Sequence, residues 1–362
     1  MIVGSISENI NTEKRVAITP DIIKKYKSLG LEVNLSKNYA LHLGITDKEY
    51  EDQGASIINN YDELISNSNI IVQMSLPSDE NIKKFTEKQI IVGVLNPYNN
   101  DKRLKEISSR NISCFSLDLL PRITRAQSMD ILSSQANLAG YKAVIDSFSY
   151  FQKAIPMMMT AAGTISAAKV LVVGAGVAGL QAIATAKRMG ALVYATDVRL
   201  ASKEQVESLG GKFLSVEGAE SLETAGGYAK EASNDFKIKQ EQLLKDTLKK
   251  IDIVICTALI PGKKAPIIIK KDMINVMPSG SVIYDLAASQ GGNSEFTKAN
   301  EIVDINGVKI MGETNILNKL PVSASNLYAK NMYNFINNLF NKDKKTFEIN
   351  SEDEIIEKTK IR

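Results

Sequence analysis

The chain has 362 residues, too many for one compact core, and suits two domains. Its net charge is +3, with 44 basic residues scattered among 41 acidic ones, which excludes the basic stripe of a nucleic-acid binder. One histidine, His42, and two distant cysteines, Cys114 and Cys256, offer no metal-ligand or CxxC spacing and exclude most nucleophile systems built on an imidazole.

Ile2–Ile6 reads as a strand that starts at the N-terminus, so no secretory signal is expected. Pro20 opens a helix that runs through Leu29 and stops at Gly30. Glu32–Leu35 is a second strand. His42 falls in a loop and reads as a surface or packing histidine. Thr46-Asp-Lys-Glu49 is a capping pattern that leads into a short helix ending before Gly54. Ile70–Met74, Ile90–Leu95 and Ile112–Ser116 are three more strands, which makes an α/β domain with a largely parallel sheet. Ser128–Phe151 is a long helical stretch. The most apolar region, Ala161–Ala186, contains Lys169 and four glycines, so it predicts a strand, turn and helix rather than a membrane span, and a soluble chain. Further strands are expected at Phe213–Leu214, Ile251–Cys256, Ser281–Tyr284 and Lys309–Met311. A helix over Ser325–Phe340 carries Tyr328, Tyr333, Phe335 and Leu339 for core or dimer packing. The basic run Asn341–Lys345 reads as a solvated helix end, followed by a charged tail. Cys114 and Cys256 lie in apolar segments and read as buried thiols in a reducing compartment.

The most informative stretch is Lys169-Val-Leu-Val-Val-Gly-Ala-Gly-Val-Ala-Gly179. Lys169–Val173 has the β-branched pattern of a buried parallel strand. Gly174 suits a tight turn, Gly176 a close approach to a pyrophosphate, and Gly179 close packing of the next helix on the strand. Helix formers from Leu180 to Arg188 would place phosphates at a helix N-terminus. A second apolar strand, Ala191–Ala195, ends at Asp197, 18 residues after the last glycine. A carboxylate there accepts both ribose hydroxyls of NAD and repels the 2′-phosphate of NADP. The pattern predicts dinucleotide binding.

A second stretch, Pro121-Arg-Ile-Thr-Arg-Ala-Gln-Ser-Met-Asp-Ile-Leu-Ser-Ser-Gln-Ala-Asn-Leu-Ala-Gly-Tyr141, gathers Arg122, Gln127, Asp130 and Ser133. The spacing i, i+3, i+6 puts the last three along one face of a helix, or of a loop entering one. They either hold a carboxamide and a diphosphate or form an ordinary capped helix start.

With Glu13-Lys-Arg-Val-Ala-Ile-Thr-Pro20, Glu204–Gly210, Glu223–Glu231, Thr257–Gly262 and Gly291-Gly-Asn293, these stretches resemble the soluble NAD(H)-binding component of the proton-translocating, Re/Si-specific NAD(P) transhydrogenases. The resemblance covers nearly the whole chain. It implies two Rossmann-like, doubly wound parallel-sheet domains with a cleft between them. Residues 1–126 with 316–362 would form the first, completed by the C-terminal helix. Residues 137–315 would form the NAD(H)-binding domain, and 127–136 would join them. It also implies roles for residues. Arg122, Gln127, Asp130 and Ser133 position the nicotinamide, and Ile123 and Thr124 line the same place. Val177, Asp197, Val198 and Arg199 contact pyrophosphate and adenosine ribose. Gly226, Gly227 and Tyr228 belong to a mobile loop, while Gln240 and Leu259 make further nucleotide contacts.

The resemblance further implies direct hydride transfer between NAD(H) on this chain and NADP(H) on a partner subunit, coupled to proton movement by membrane-spanning subunits. A homodimer is implied, located in the cytoplasm or its matrix-side equivalent and peripheral on the inner membrane. Two alternatives are an alanine dehydrogenase and a non-catalytic NAD-binding module. The dehydrogenase needs a lysine, a histidine and an aspartate at its substrate. Motif alignment puts Gln73, Asn96 and Ser289 at those positions, and none does that acid–base work. Lysine is also common at the position of Gln73 among the transhydrogenases, so a local contact there should differ. Arg15 could bind a carboxylate, but reads better as an ion pair anchoring the first strand–helix turn.

Overall fold

The computed structural model describes residues 1–216, 234–260 and 262–361. Contacts divide the chain into two compact units. One is Met1–Gln135 with the segment from Leu320, and the other is Ala136–Lys319.

The first unit is built on strands β1 (Ile2–Ser5), β2 (Glu32–Ser36), β3 (Ser56–Ile58), β4 (Ile70–Ser75), β5 (Ile90–Val94) and β6 (Ser113–Ser116). They pair in the order β3-β2-β1-β4-β5-β6, every pair parallel. Such a sheet needs apolar cover on both faces. Accordingly Ile70, Val72 and Met74 enter one core, and Ile71 enters the other. Ile90 and Val92 likewise oppose Ile91, and Phe115 opposes Cys114. Burial pushes the Cys114 thiol up to about 11, and Cys256 is raised by burial too, so both are inert thiols.

Local signals in this unit act as read. The Pro20–Ser28 helix has proline at its start, and Gly30 after it adopts φ +81. Thr46 and Glu49 close a reciprocal capping box on Asp47–Asp52. The sequence reading missed the β3 strand and three helices, Tyr61–Asn67, Asp79–Lys83 and Pro97–Ser109. Each carries at most two buried residues, too few for a helical period to show.

The C-terminal helix spans Pro321–Leu339, a turn earlier than expected, with proline in the first turn. Tyr328, Met332, Phe335 and Leu339 enter the core with Val72, Val92 and Phe115. One expectation fails beyond it. The run 341–345 is no helix end: it links Phe340–Asn341 (β16) to Thr346–Phe347 (β17), an antiparallel ribbon. The Phe340 and Phe347 rings meet edge to face at 5.4 Å, and Asn341 Oδ1 accepts from the Asp343 and Lys344 N–H groups, which reverses the chain. The charged tail also docks. Asp353 caps the helix Glu354–Thr359, Ile355 and Ile356 are buried, and Ile361 N donates to Cys114 O at 2.8 Å.

Arg125 pairs with Asp353, and its hydrogen bond, with help from the Ile355 N–H, holds the Asp353 carboxyl down at about 2 against burial. A carboxyl depressed from 3.8 stabilises the fold above its ordinary range and loses that contribution as pH falls through its folded value. Arg125 is half exposed, so the pair is worth about 1 kcal/mol or less after screening. Asp353→Asn keeps the cap and removes the charge. Urea unfolding should find it less stable than the parent at pH 5, with the gap shrinking as pH falls towards 2. A gap of unchanged size at pH 2 would contradict the pairing.

The second unit carries β7 (Met158–Thr160), β8 (Gly163–Ile165), β9 (Lys169–Val173), β10 (Leu192–Thr196), β11 (Lys212–Phe213), β12 (Ile253–Cys256), β13 (Val282–Asp285), β14 (Ile302–Ile305) and β15 (Val308–Gly312). Seven of them form a sheet ordered β11-β10-β9-β12-β13-β15-β14, parallel except for β14. On β9, Val170 and Val172 face one core while Leu171 and Val173 face the other. β7 and β8 make a separate antiparallel ribbon that the apolar composition of 154–168 had concealed. Both units are thus α/β with Rossmann-like parallel sheets. Among the described residues, no helix is long and apolar enough to cross a membrane, and no cluster of His, Cys, Asp and Glu could hold a metal.

Candidate functional site

In the second sheet, β10 and β12 leave β9 on opposite sides, so the strand order reverses at the carboxyl end of β9. Parallel α/β sheets bind ligands at such a point. The Gly174–Gly179 turn begins there. Gly174 adopts φ +94 and donates its N–H to Thr196 O at 2.9 Å. A methyl group on Gly179 would lie 1.9 Å from the Gly174 carbonyl oxygen, so only glycine lets the helix Val177–Arg188 sit this close to the turn. Gly176 differs: a Cβ there meets nothing within 4 Å. Packing does not demand that glycine, whereas close approach of a ligand would. Gly176 is also the N-cap of the helix and supplies no side-chain cap. The first-turn N–H groups are therefore available to an anion.

Asp197 follows β10. Its Oδ1 accepts from Arg199 N at 2.8 Å and Arg199 Nε at 2.9 Å. Its Oδ2 accepts from Ala175 N at 2.7 Å and Arg199 Nη2 at 2.8 Å. Burial alone would raise this carboxyl, but the Arg199 guanidinium and the two N–H groups outweigh burial and hold it below the ordinary range. A pocket beside it is lined by Thr196, Asp197, Val198, Leu214, Gln240 and Leu243, among others. The structure thus gathers Asp197, Val198 and Gln240 in one place, next to the glycine turn. Leu259 is exposed on the loop after β12. Gly226, Gly227 and Tyr228 lie outside the described residues.

Sequence reading missed what holds the turn. Thr257 Oγ1 donates to Gly174 O at 2.9 Å. Asn293 in turn grips that loop, its Oδ1 accepting from Ala258 N at 3.0 Å and its Nδ2 donating to Ala258 O at 2.8 Å. Asn293 is placed by the fully buried Asp285, whose Oδ2 accepts from Asn293 N, Ser294 N and Thr297 Oγ1 while Oδ1 accepts from Ala287 N. Gly140, at the end of the second stretch, has a packing reason that its sequence did not show: a Cβ on it would lie 2.0 Å from the Ala178 carbonyl oxygen. An acid at a strand end followed by Gly-Gly-Asn was the available signal for Asp285.

In the first unit, the second stretch departs from the expected single face. Thr124–Met129 is a 3-10 turn that holds Thr124 and the exposed Gln127. Arg122 and Ile123 precede it. Asp130 is extended and starts the helix Ile131–Tyr150: its Oδ1 accepts from Ser133 N at 2.9 Å and its Oδ2 from Ser133 Oγ at 2.5 Å. The helix therefore begins at Ile131 rather than Ser128, because a capping aspartate has non-helical geometry. Asp130 and Ser133 form the capped start, and Gln127 sits a turn before it.

An alanine dehydrogenase/PNT N-terminal domain model matches residues 4–139, and the corresponding C-terminal domain model matches residues 143–361. The chain belongs to the alanine dehydrogenase/PNT family. Within this family it is 47% identical to the first portion of the NAD(P) transhydrogenase alpha subunit of Rhodospirillum rubrum, over 96% of this chain and 92% of the relative. The same-named protein of Rickettsia prowazekii is 48% identical over 93% and 89%. A crystal structure of a transhydrogenase from Sinorhizobium meliloti superposes with a TM-score of 0.90 at 42% identity, covering 99% and 98% of the two chains. An L-alanine dehydrogenase structure shares the fold, with a TM-score of 0.82 at 19% identity.

The three positions read against an alanine dehydrogenase are Gln73, Asn96 and Ser289. Gln73 is buried: its Oε1 accepts from Ile6 N at 2.9 Å, and its Nε2 donates to Glu8 Oε1 at 3.0 Å. Asn96 sits at φ +49 and donates its N–H to Asp118. Ser289 is exposed, in the 3-10 turn Ala288–Gln290. Arg15 forms a fork with Glu13 and donates to Gln135 Oε1 at 2.9 Å, which is the anchoring ion pair read from sequence. His42 is exposed, its Nε2 2.7 Å from Lys14 O.

Proposed function

We propose that this chain is the NAD(H)-binding component of a proton-translocating, Re/Si-specific NAD(P) transhydrogenase. The observation that carries the reading is the uncapped glycine turn at the strand-order reversal with the Asp197 carboxylate beside it. In this reading the first-turn N–H groups of Val177–Arg188 and the bare Gly176 hold the pyrophosphate. Asp197, with Val198 and Arg199, receives the adenosine ribose, Gln240 and Leu259 line the same site, and Gly227 and Tyr228 add nucleotide contacts. Gln127 and Asp130, with Arg122, Ile123, Thr124 and Ser133, fix the nicotinamide end.

Bound NAD(H) supplies the hydride donor or acceptor. The chain orients the ring and keeps water from it, which suits a protein with a single histidine. NADP(H) sits on a partner subunit, and membrane-spanning subunits couple transfer to proton movement. The component works as a homodimer, peripheral to the membrane on the cytoplasmic or matrix side. Gln73, Asn96 and Ser289 supply no acid–base pair for amino-acid oxidation, which favours this reading over an alanine dehydrogenase. The purified chain should bind NADH and show no alanine-dependent reduction of NAD. Mixed with the NADP(H)-binding partner, it should pass hydride between the two nucleotides. Rapid turnover with alanine would overturn the proposal.

A further inference from the structure

The turn assigned to the nicotinamide is held by the C-terminal helix. Both lie in the first unit. In a 3-10 turn, side chains at i and i+3 line up, and Ala126 and Met129 accordingly enter the core with Tyr328, Met332 and Phe335. Asn331, Asn334 and Asn338 of the helix Pro321–Leu339 recur at i, i+3 and i+7, a polar row beside that apolar one. The last carbonyls of a helical turn lack partners within it. The Ser128 carbonyl accepts from Asn331 Nδ2 at 2.8 Å and from Asn334 Nδ2 at 2.9 Å. Asn331 Oδ1 in turn accepts from Ser134 Oγ at 2.7 Å. Near the start of the turn, Arg125 Nη1 donates to Asn338 Oδ1 at 3.2 Å, and Asn338 Nδ2 donates to Asp353 Oδ2 at 3.2 Å. Gln127 thus sits between two anchored residues, Arg125 and Ser128, and is itself exposed.

We propose that Asn331, Asn334 and Asn338 are positioning residues for hydride transfer, because they fix the backbone that presents Gln127. The inference rests on the reading that Gln127 holds the nicotinamide. Hydride passes only when the two rings meet near contact distance, and a misplacement of about 1 Å costs about a hundredfold. Affinity is less exacting, because the pyrophosphate and ribose are assigned to residues of the second unit. Loosening the turn therefore acts on the rate of transfer more than on binding.

The test mixes the full chain with its NADP(H)-binding partner and follows deuteride from C4-labelled NADH into NADP+ by quenched mass spectrometry. It compares the parent, Asn331→Ala/Asn334→Ala, Gln127→Ala and the combination of all three substitutions, with NADH affinity measured beside the rate. The asparagine variant should transfer about tenfold more slowly, with NADH affinity within about twofold of the parent. In the Gln127→Ala background the same two substitutions should slow transfer no further, because their effect passes through Gln127. Asn334 is half-buried and alanine is the better helix former, so Asn334→Ala alone serves if the pair does not fold. An asparagine variant that transfers as fast as the parent overturns the inference, as does an equal slowing with and without Gln127. The nicotinamide reading of the turn survives both results. Transfer left unchanged by Gln127→Ala overturns that reading, and the inference with it.

Discussion

Asp285→Ala is expected to destabilise the second unit by about 4 kcal/mol, a large part of the total stability of an ordinary domain. The carboxylate is fully buried and accepts three N–H groups and one hydroxyl. A bond to such a group contributes about 1.5–3 kcal/mol, and removing the acceptor leaves its donors dry. Relaxation and water entry reduce the sum, which is why it stays below four full bonds. The loss should appear as a lower urea midpoint with an unchanged slope. Nucleotide affinity should fall too, because Asp285 places Asn293, which grips the loop whose Thr257 holds the Gly174 carbonyl. A change below about 1 kcal/mol would mean that the network is replaceable.

Gly179→Val and Gly176→Ala are expected to separate folding from binding. The new Cβ at Gly179 would lie 1.9 Å from the Gly174 carbonyl oxygen, a backbone atom that cannot swing aside. The helix must lift from the turn, at a cost of about 3 kcal/mol or more. NADH binding should be lost with it. At Gly176 the Cβ enters open space, so stability should hold. Binding should still fall by tenfold or more if the pyrophosphate lies against that backbone. Calorimetric titration and thermal unfolding of both variants check the contrast. Unchanged NADH affinity in Gly176→Ala would remove the turn from the site.

The stretch from Lys169 to Asp197 was legible because its constraints are local: a strand, three glycines and an acid close together in sequence. Asn306-Gly307 was equally legible and went unread. Its residues adopt φ +53 and +83 and join β14 to β15, as an Asn-Gly turn between apolar runs should. Asp130 was ambiguous for a physical reason. Spacing i, i+3, i+6 describes one helix face, yet an aspartate three residues before a serine equally describes a capped start, and the backbone at Asp130 settled it. The short ribbons and the docked tail had no period to read.

From the sequence alone came the alternation of strands and helices, the glycine turn, the acid that ends β10 and the lack of a histidine-based site. All of these depend on residues near one another in the chain. Tertiary structure alone decided that Asp285 and Asn293 hold the turn from more than 100 residues away. It decided that Gly140 yields to the Ala178 carbonyl, and that the Asp197 carboxylate is shared with Arg199. It also set Phe335 of the C-terminal helix against Phe115, where the resemblance implied only that this helix completes the first domain. Hydrogen bonds and side-chain packing depend on distance in space, which residue spacing along the chain does not encode once the chain has doubled back.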